Sequence, residues 1–257
     1  MSLWSSTIDD TSPFFTYTPY GVGAVVHCYG FISKNGQGGE GDSYHLTSLD
    51  GAAVTFEFCG TAVYLYGTTN STYDTWLDNI AYAHAPATSD LLLSITDLKE
   101  GTHSVKLAAR PKNSSQQLAF DRAVISAPLV NNQTPVKAFY DNTDITVLKY
   151  SGVQNQTTPV PGIPNATVSH TWQETFAGGA SVSMDIDVGA VGVSLWGMAN
   201  WGNGLYTVSI DGIAASTYNG STFWKVPDAL LFYQGGLDPH SQLDQYPGEI
   251  GAELNPG

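Results

Sequence analysis

The chain has 257 residues with 9 basic and 23 acidic side chains, which gives a formal net charge of −14. Such an acidic chain repels phosphate backbones and anionic lipid headgroups, and this argues against nucleic acid as a partner. Charged residues make up 12% of the sequence and hydrophobic residues 42%, so solubility has to rest on uncharged polar residues, as is typical of extracellular glycoproteins.

The first segment, residues 1–6, has neither the basic head nor the apolar core of a signal peptide, so we expect a mature form whose leader has been removed or replaced. No stretch approaches the roughly 18 apolar residues of a membrane helix. Six Asn-x-Ser/Thr sequons predict a secreted, N-glycosylated protein associated with a cell wall or surface. The sequons begin at Asn70, Asn113, Asn132, Asn155, Asn165 and Asn219.

The chain contains two cysteines, Cys28 and Cys59, and both lie in its first half. An even count within one half predicts a single intradomain disulfide formed in an oxidising compartment. A pair of free buried thiols is the alternative.

Three segments alternate apolar and polar side chains with a period of two, namely residues 54–58, 182–186 and 206–211. This alternation is typical of half-buried β-strands, and Asp211-Gly212 adds a turn signal after the third segment. No stretch of a dozen residues keeps a helical period. Many short strands separated by Gly, Pro and Asn predict an all-β fold of the jelly-roll type.

An internal repeat sets the domain organisation. Residues 51–67 recur, with substitutions, as residues 179–197, and four further blocks match in the same order along both halves. One of these blocks pairs His45 with His170, and another pairs residues 8–11 with residues 140–143. We therefore predict two tandem jelly-roll-like β-sandwich domains, residues 1–128 and residues 129–257.

The second repeat is shorter than the first at its end. The first half continues with two more strands, around residues 104–107 and 118–124, whereas the second offers only residues 238–257, which are rich in Pro, Gly and acid. We expect an incomplete second sandwich whose open slot is filled by the tail around residues 242–246 or by a neighbour's strand such as residues 4–17. The intermolecular route would build dimers or filaments. The alternative is that the sequence is itself cut short.

Several motifs of the first half also occur together in a known group of proteins. The chain resembles secreted or membrane-anchored proteins abundant in mushroom-forming fungi, which are at best similar to galactose-binding-like carbohydrate modules. The resemblance implies a jelly-roll fold, and the likeness to carbohydrate modules implies a glycan partner. The motifs that carry it are residues 8–13, Tyr44-His45, residues 51–67, Leu77-Asp78 and Leu98 with residues 101–105.

Aromatic residues crowd the middle of the second half and provide the candidate ligand site. The apolar C–H face of a sugar ring stacks on Trp or Tyr, while neighbouring amides hydrogen-bond its hydroxyl groups. In the alternative, these rings cap the core or lie in the contact between the domains. The candidate ligand-binding residues are Trp196, Asn200, Trp201, Asn203 and Trp224.

Acidic residues near the two ends of the first half suggest a further site. Asp9, Asp10 and Asp121 would meet if the terminal strands of a jelly roll pair, and their oxygens suit a structural Ca²⁺. The alternative is an Asx-turn at residues 10–13. We interpret the repeated His45 and His170 as packed, hydrogen-bonded residues and expect no other cofactor.

The sequence shows no motif of a catalytic site. A glycosidase needs two carboxylates roughly 5 to 10 Å apart, and the acids of the predicted strands and turns form no marked pair. We therefore expect a non-catalytic, extracellular glycan-binding protein that is not an enzyme. A self-assembling coat or filament protein joined by strand exchange is the alternative, and a glycoside-active enzyme is the less favoured one.

Overall fold

The computed structural model describes residues 3–19, 32–34, 43–82, 90–129, 136–152, 154–159, 171–175, 178–187, 189–200, 202–222, 226–237 and 249–255. Every regular element in these ranges is a β-strand, which confirms the predicted all-β fold. Two compact units are distinguished by their internal contacts. The first unit is Met1–Pro135 with Gln234–Gly236, and the second unit is Val136–Tyr233 with Leu237–Gly257.

The first unit contains two antiparallel sheets, one with strands in the order β3-β4-β11-β6-β9, where β1 also pairs with β11, and one in the order β2-β5-β10-β7-β8. Its strands are β1 (Leu3–Asp9), β2 (Thr16–Thr18), β3 (Ile32–Lys34), β4 (Tyr44–Thr47), β5 (Ala53–Gly60), β6 (Ala62–Thr69), β7 (Thr72–Leu77), β8 (Ile80–Ala81), β9 (Leu91–Ile95), β10 (Gly101–Arg110) and β11 (Leu118–Pro128).

The apolar side of each sheet is buried in a common core. Phe15 makes edge-to-face contacts with Phe56 on β5, at 5.1 Å between ring centroids, and with Phe120 on β11, at 5.0 Å, so one ring links the two sheets. Leu65 and Leu107 are fully buried on opposite sheets. Each such side chain stabilises the fold by about 1.5–3 kcal/mol relative to an exposed one.

The second unit repeats one sheet of the first. Its strands β12-β15-β20-β17-β18 follow the same order as β2-β5-β10-β7-β8, and two small sheets, β13-β14 and β16-β19, complete the described part of the unit. The strands are β12 (Lys149–Ser151), β13 (Gln154–Pro159), β14 (Thr171–Glu174), β15 (Ser181–Asp185), β16 (Gly192–Ala199), β17 (Leu205–Ile210), β18 (Ile213–Asn219), β19 (Val226–Gly235) and β20 (Glu249–Asn255).

The chain's own tail closes this five-stranded sheet. Strand β20 pairs with β15 on one side and β17 on the other, which is the place that β10 takes in the first unit. The expectation that the second repeat lacks a counterpart of the strand around residues 104–107 is therefore wrong. The part of the tail that forms this strand is Glu249–Asn255. The expected residues 242–246 lie outside the described residues.

Equivalent turns join β7 to β8 and β17 to β18. The central residues are Asp78 and Asn79, with φ of 51° and 64°, and Asp211 and Gly212, with φ of 54° and 72°. Two consecutive residues with positive φ are what a tight type I′ hairpin needs, and this confirms the turn predicted at Asp211-Gly212.

A tyrosine holds the same place in both units. Tyr17 on β2 lies opposite Val54 and donates its hydroxyl proton to the carbonyl oxygen of Asp10, at 2.8 Å. Tyr150 on β12 lies opposite Val182 and donates to the carbonyl oxygen of Asn142, at 2.9 Å. The repeated residues 8–11 and 140–143 are thus held by the same bond.

The predicted disulfide stays a prediction, because Cys28 lies outside the described residues. Cys59 forms no disulfide with any residue that the structure describes, and burial raises the pKa of its thiol. Among the sequons, Asn70, Asn113 and Asn219 are exposed. Asn132 and Asn165 lie outside the described residues, and Asn155 lies on β13.

Candidate functional site

Trp196 is the most exposed tryptophan whose surroundings the structure describes. It lies on β16 with 42% of its surface accessible, and its Nε1–H donates to the hydroxyl oxygen of Ser194 at 3.0 Å. Because neighbouring strand residues point to opposite sides, Val193 and Leu195 face the core instead. The indole therefore has its polar hydrogen satisfied while much of its ring meets solvent.

The loop after β16 is braced by hydrogen bonds. The backbone of Asn200 donates to Gly220 O at 3.2 Å and accepts from the amides of Asn203 and Thr222, at 3.1 and 3.3 Å. The side-chain amide of Asn203 donates to Met198 O at 2.6 Å. Asn203 was predicted to bind a ligand, and in the structure its side-chain nitrogen bonds within the loop, so its predicted role stays a prediction.

Backbone hydrogen bonds join Asn200 to Gly220 and Thr222. Trp201 and Trp224 lie outside the described residues, so their predicted role is untested. Asn200 follows the last residue of β16, four positions after Trp196.

The counterpart of Trp196 in the first unit is covered. Tyr66 on β6 has the guanidinium carbon of Arg122 at 4.3 Å from its ring centroid, and Arg122 lies opposite it on β11. Arg122 also forms ion pairs with Asp121 and, at 3.6 Å, with Asp90. Of these two equivalent positions, Trp196 is the one that leaves its ring open to a ligand.

The three predicted calcium ligands come together at one edge of the first unit. Strand β1 pairs with β11 in a register that sets Asp9 opposite Arg122, and Asp10 N–H donates to Asp121 O at 2.9 Å. This contact continues the antiparallel register of β1 and β11 by one residue. The predicted meeting of these residues is therefore confirmed.

Their carboxylates are engaged by protein donors. Asp9 accepts hydrogen bonds from the hydroxyl and amide of Thr11, at 2.6 and 3.3 Å, which is Asx-turn bonding one residue earlier than predicted. Asp121 pairs with Arg122. No group of three metal-binding side chains occurs within the described ranges. The bonding matches the turn interpretation, and nothing here supports a calcium site.

His45 belongs to a buried network around Asp10. The Asp10 carboxylate is inaccessible, contacts His45 Nδ1 at 2.5 Å and accepts from Ser43 Oγ at 2.5 Å, while Tyr17 stacks on the imidazole at 4.0 Å. Burial raises the pKa of Asp10 and outweighs the lowering by its hydrogen bond with His45. This contact supports the packed interpretation of His45, whereas His170 lies outside the described residues.

This network lacks the order of a catalytic triad. In a triad the serine hydroxyl bonds to the imidazole and the carboxylate lies behind it, whereas here Asp10 lies between Ser43 and His45. On the surface, Asp185 pairs with Lys149 at 3.0 Å and Asp187 accepts from Tyr140. These acids are engaged in local bonds, although the prediction that the chain is not an enzyme remains untested.

Comparisons with known proteins give no family for this chain. No family model and no curated protein matches it. Among solved structures it is similar to a family two carbohydrate esterase from Cellvibrio japonicus, with 15% identity and a TM-score of 0.34 over 50% of this chain and 37% of the esterase. The chain thus spans well under half of the esterase.

Two further solved structures match more of the chain. The CBM22-1–CBM22-2 tandem domain of Paenibacillus barcinonensis Xyn10C is 13% identical, with a TM-score of 0.28 over 89% of this chain and 86% of that one. A Paenibacillus xanthan lyase is 14% identical, with a TM-score of 0.26 over 88% of this chain and 23% of the lyase.

Likenesses at these TM-scores carry no argument about a site. None of the comparisons bears on the resemblance to fungal proteins, which stays a prediction. Within the described residues, no helix is long and apolar enough to cross a membrane. The chain is thus similar, at low identity, to proteins that include a carbohydrate esterase and a tandem of carbohydrate-binding modules, and its function has to be argued from its own residues.

Proposed function

We propose that this protein is a non-catalytic, glycan-binding protein of the cell surface or extracellular space, with Trp196 as the principal contact. The observation that carries the proposal is the open indole on β16, 42% exposed, with its N–H already bonded to Ser194. A ring in this state offers an apolar surface that a sugar C–H face covers without leaving a polar group unpaired.

Exposure of this ring has a cost that a ligand would remove. Trp has a large apolar ring, so a sugar that covers it would remove apolar area from water. The loop after β16 is held by the hydrogen bonds of Asn200 and Asn203, and it lies next in the chain to the strand that carries Trp196. An aromatic platform with polar groups beside it is the usual composition of a carbohydrate site.

The charge of the second unit selects among glycans. Residues 136–257 contain 3 basic and 11 acidic side chains. Uronate-rich or sulfated polysaccharides would be repelled by this surface, so we expect neutral glycans as ligands. Exposure of the sequon residues Asn70, Asn113 and Asn219 supports the extracellular location.

The experiment compares Trp196→Ala with Tyr66→Ala in affinity electrophoresis through gels that contain neutral polysaccharides. Because Tyr66 holds the equivalent place in the first unit and is covered by Arg122, it serves as the matched control. We expect Trp196→Ala to weaken retention at least roughly fivefold, which corresponds to about 1 kcal/mol of ring contact, and Tyr66→Ala to leave it unchanged.

Two results would contradict the proposal. One is an unmodified protein that no neutral polysaccharide retains. The other is a Trp196→Ala variant that is retained as strongly as the unmodified protein. A circular dichroism spectrum of each variant establishes that the β-fold is intact.

A further inference from the structure

His103 on β10 is a half-buried titratable residue of the first unit that lies outside the proposed glycan site. Its side chain is 13% exposed, and its imidazole packs against the ring of Phe58 on β5, at 5.6 Å between ring centroids. Both ring nitrogens are engaged. Nδ1 lies 2.8 Å from Oδ2 of Asp78, and Nε2 lies 2.7 Å from the carbonyl oxygen of Lys99.

The two partners of this imidazole are both hydrogen-bond acceptors. A main-chain carbonyl has no hydrogen to donate, and Asp78 is ionised at neutral pH because its hydrogen bonds with His103 and with the amide of Ser104 lower its pKa. A neutral imidazole has one N–H, whereas the imidazolium has two. The doubly protonated ring therefore satisfies both contacts, and a neutral ring satisfies one of them.

Asp78 is positioned by bonds of its own. It is the first central residue of the β7–β8 turn, with a φ of 51°. Its N–H donates to the carbonyl oxygen of Ser104 at 2.9 Å, and its Oδ1 accepts from the N–H of Ser104 at 2.8 Å. These two bonds hold the carboxylate beside β10, so Oδ2 meets the imidazole of the next residue but one in the strand order of contacts, His103.

One ring thus connects three segments of the first unit, namely the β7–β8 turn, strand β10 and the residues just before it. Asp78 and His103 belong to two of the motifs noted in the sequence, Leu77-Asp78 and residues 101–105. The hairpin beyond the turn carries exposed apolar side chains, with Ile80 72% and Tyr82 38% exposed. The ring is therefore placed where it can fix the conformation of an exposed apolar tip.

Asp78 is the charged residue that pairs with this imidazole within the described part of the chain. The side chains of β5 on either side of Phe58 point to the other face of the sheet. Asp97 bonds to the hydroxyl of the residue before it, and Glu100 acts on the thiol of Cys59. The titratable residues on the elements around His103 are Glu57, Cys59, Asp78, Asp97, Lys99 and Glu100.

We propose that His103, as an imidazolium bonded to Asp78 and to the Lys99 carbonyl, is a pH-dependent clasp that fastens the β7–β8 turn to β10 and loosens in alkaline solution. When the ring loses one proton, either the carboxylate or the carbonyl loses its donor. The turn is then held by the two bonds between Asp78 and Ser104. This inference goes beyond glycan binding and does not depend on it.

The direction of the pH dependence follows from the two partners. Desolvation lowers the pKa of His103, but the hydrogen bonds to Asp78 and to the Lys99 carbonyl outweigh it and raise the pKa above its ordinary value of about 6.5. The contribution of His103 to stability is therefore complete below about pH 6.5 and is lost as pH rises through the folded pKa. The pKa of Asp78 is lowered, so its contribution is lost only as pH falls below its ordinary value of about 3.9.

The first experiment is an NMR titration of the imidazole protons in the full chain. The His103→Gln variant identifies the His103 resonance among those of the six histidines. We expect a midpoint above pH 6.5 that moves to lower pH in Asp78→Asn. Asn tolerates the positive φ of this turn and still accepts from the Ser104 amide, so the turn itself is kept.

Asp97→Asn is the matched control for the titration. Asp97 also has a positive φ, of 60°, and its carboxylate bonds to Thr96. Removal of this charge should leave the midpoint of His103 unchanged.

The second experiment measures amide hydrogen exchange at several pH values, corrected for the pH dependence of exchange in an unfolded chain. The amides of Ser104 and Tyr82, which bond to Asp78 and Thr75, should lose roughly three- to tenfold in protection as pH rises through the midpoint. The amide of Ala109, which bonds to Ala52 further along β10, should show no such loss. In His103→Gln the loss should be absent.

Each of four results would overturn the proposal. Two come from the titration, namely a His103 midpoint at or below pH 6.5 and a midpoint that Asp78→Asn does not move. The other two come from amide exchange. Protection of Ser104 and Tyr82 that stays constant through the midpoint would show that the charge does not hold the turn, and a loss that persists in His103→Gln would assign it to another group.

Discussion

The two units share the strand order of one sheet and differ in the described part of the other. In the first unit β11 joins β1, β4 and β6 into one six-stranded sheet, whereas the matching segments of the second unit stay in separate small sheets or in no strand. In the first unit β11 is thus the common partner of three strands, whereas no described strand of the second unit has this role and the order of the other sheet is the same in both units. Central strands act as common partners, so their effect on a fold exceeds their length.

The variant with the largest expected effect on this comparison is Phe120→Ala on β11. Phe120 is fully buried and contacts Phe15, so its truncation should lower the free energy of unfolding of the first unit by about 3–5 kcal/mol. Phe139→Ala is the control, because Phe139 is 68% exposed in the second unit and its loss should change stability by less than about 0.5 kcal/mol.

Urea denaturation followed by circular dichroism measures both variants, and amide exchange shows which unit has been destabilised. Equal effects of Phe120→Ala and Phe139→Ala would show that β11 does not hold the first unit together in the way that the pairing implies.

Asp10→Asn makes the first unit resemble the second, which has Asn142 at the matching position. The amide cannot accept from both Ser43 and His45 as the carboxylate does, so we expect a loss of about 1–3 kcal/mol at neutral pH. The bond from the Tyr17 hydroxyl to the backbone of residue 10 should survive.

The pH dependence of this variant tests the burial of Asp10. Burial raises the pKa of Asp10 in the folded state, so this group stabilises the fold fully below its ordinary pKa of about 3.9, and the contribution is lost as the pH rises through the folded pKa. The stability advantage of the unmodified protein over Asp10→Asn should therefore shrink as pH rises above about 4. An advantage that grows over this range would show that the hydrogen bonds, and not burial, dominate the pKa.

The smallest expected effect concerns the equivalent turns. Asn79 and Gly212 occupy the same position with φ of 64° and 72°, and a Cβ on Gly212 would meet no atom within 4 Å. Gly212→Ala should cost about 1–2 kcal/mol from backbone conformation alone, and Gly212→Asn should cost less, since Asn tolerates positive φ. Thermal unfolding compares the two, and equal costs would argue that the two turns are not equivalent.

The sequence predicts those strands whose side chains alternate between apolar and polar. It does not predict a strand that forms only because neighbouring strands pair with it. Residues 54–58 and 182–186 alternate clearly and match β5 and β15, apart from Ile186, which follows β15. Strand β20 contains glycine and two glutamates and has little strand propensity, so its place between β15 and β17 is decided by tertiary contacts.

The candidate site was predictable in type and not in detail. Clustered aromatics pointed to Trp196, but the cover that Arg122 provides for Tyr66 depends on the register of β11 against β6, which no local pattern encodes. The contact of His45 with Asp10 joins residues 35 positions apart through the pairing of different strands. Such contacts follow from topology and become visible only once the strand order is known.

The hydroxyl groups of Tyr17 and Tyr150 each donate to a main-chain carbonyl oxygen. Neither bond therefore depends on the side chain of the residue that provides this oxygen. A position held in this way is free to mutate while the chain path stays the same. The difference between Asp10 and Asn142 illustrates this freedom: one unit has a buried carboxyl group at this position and the other has an amide, with the backbone tethered alike. Duplicated modules tethered through their main chain can therefore diverge far in sequence before their folds diverge, and new surfaces can arise in one copy while the other preserves the original arrangement.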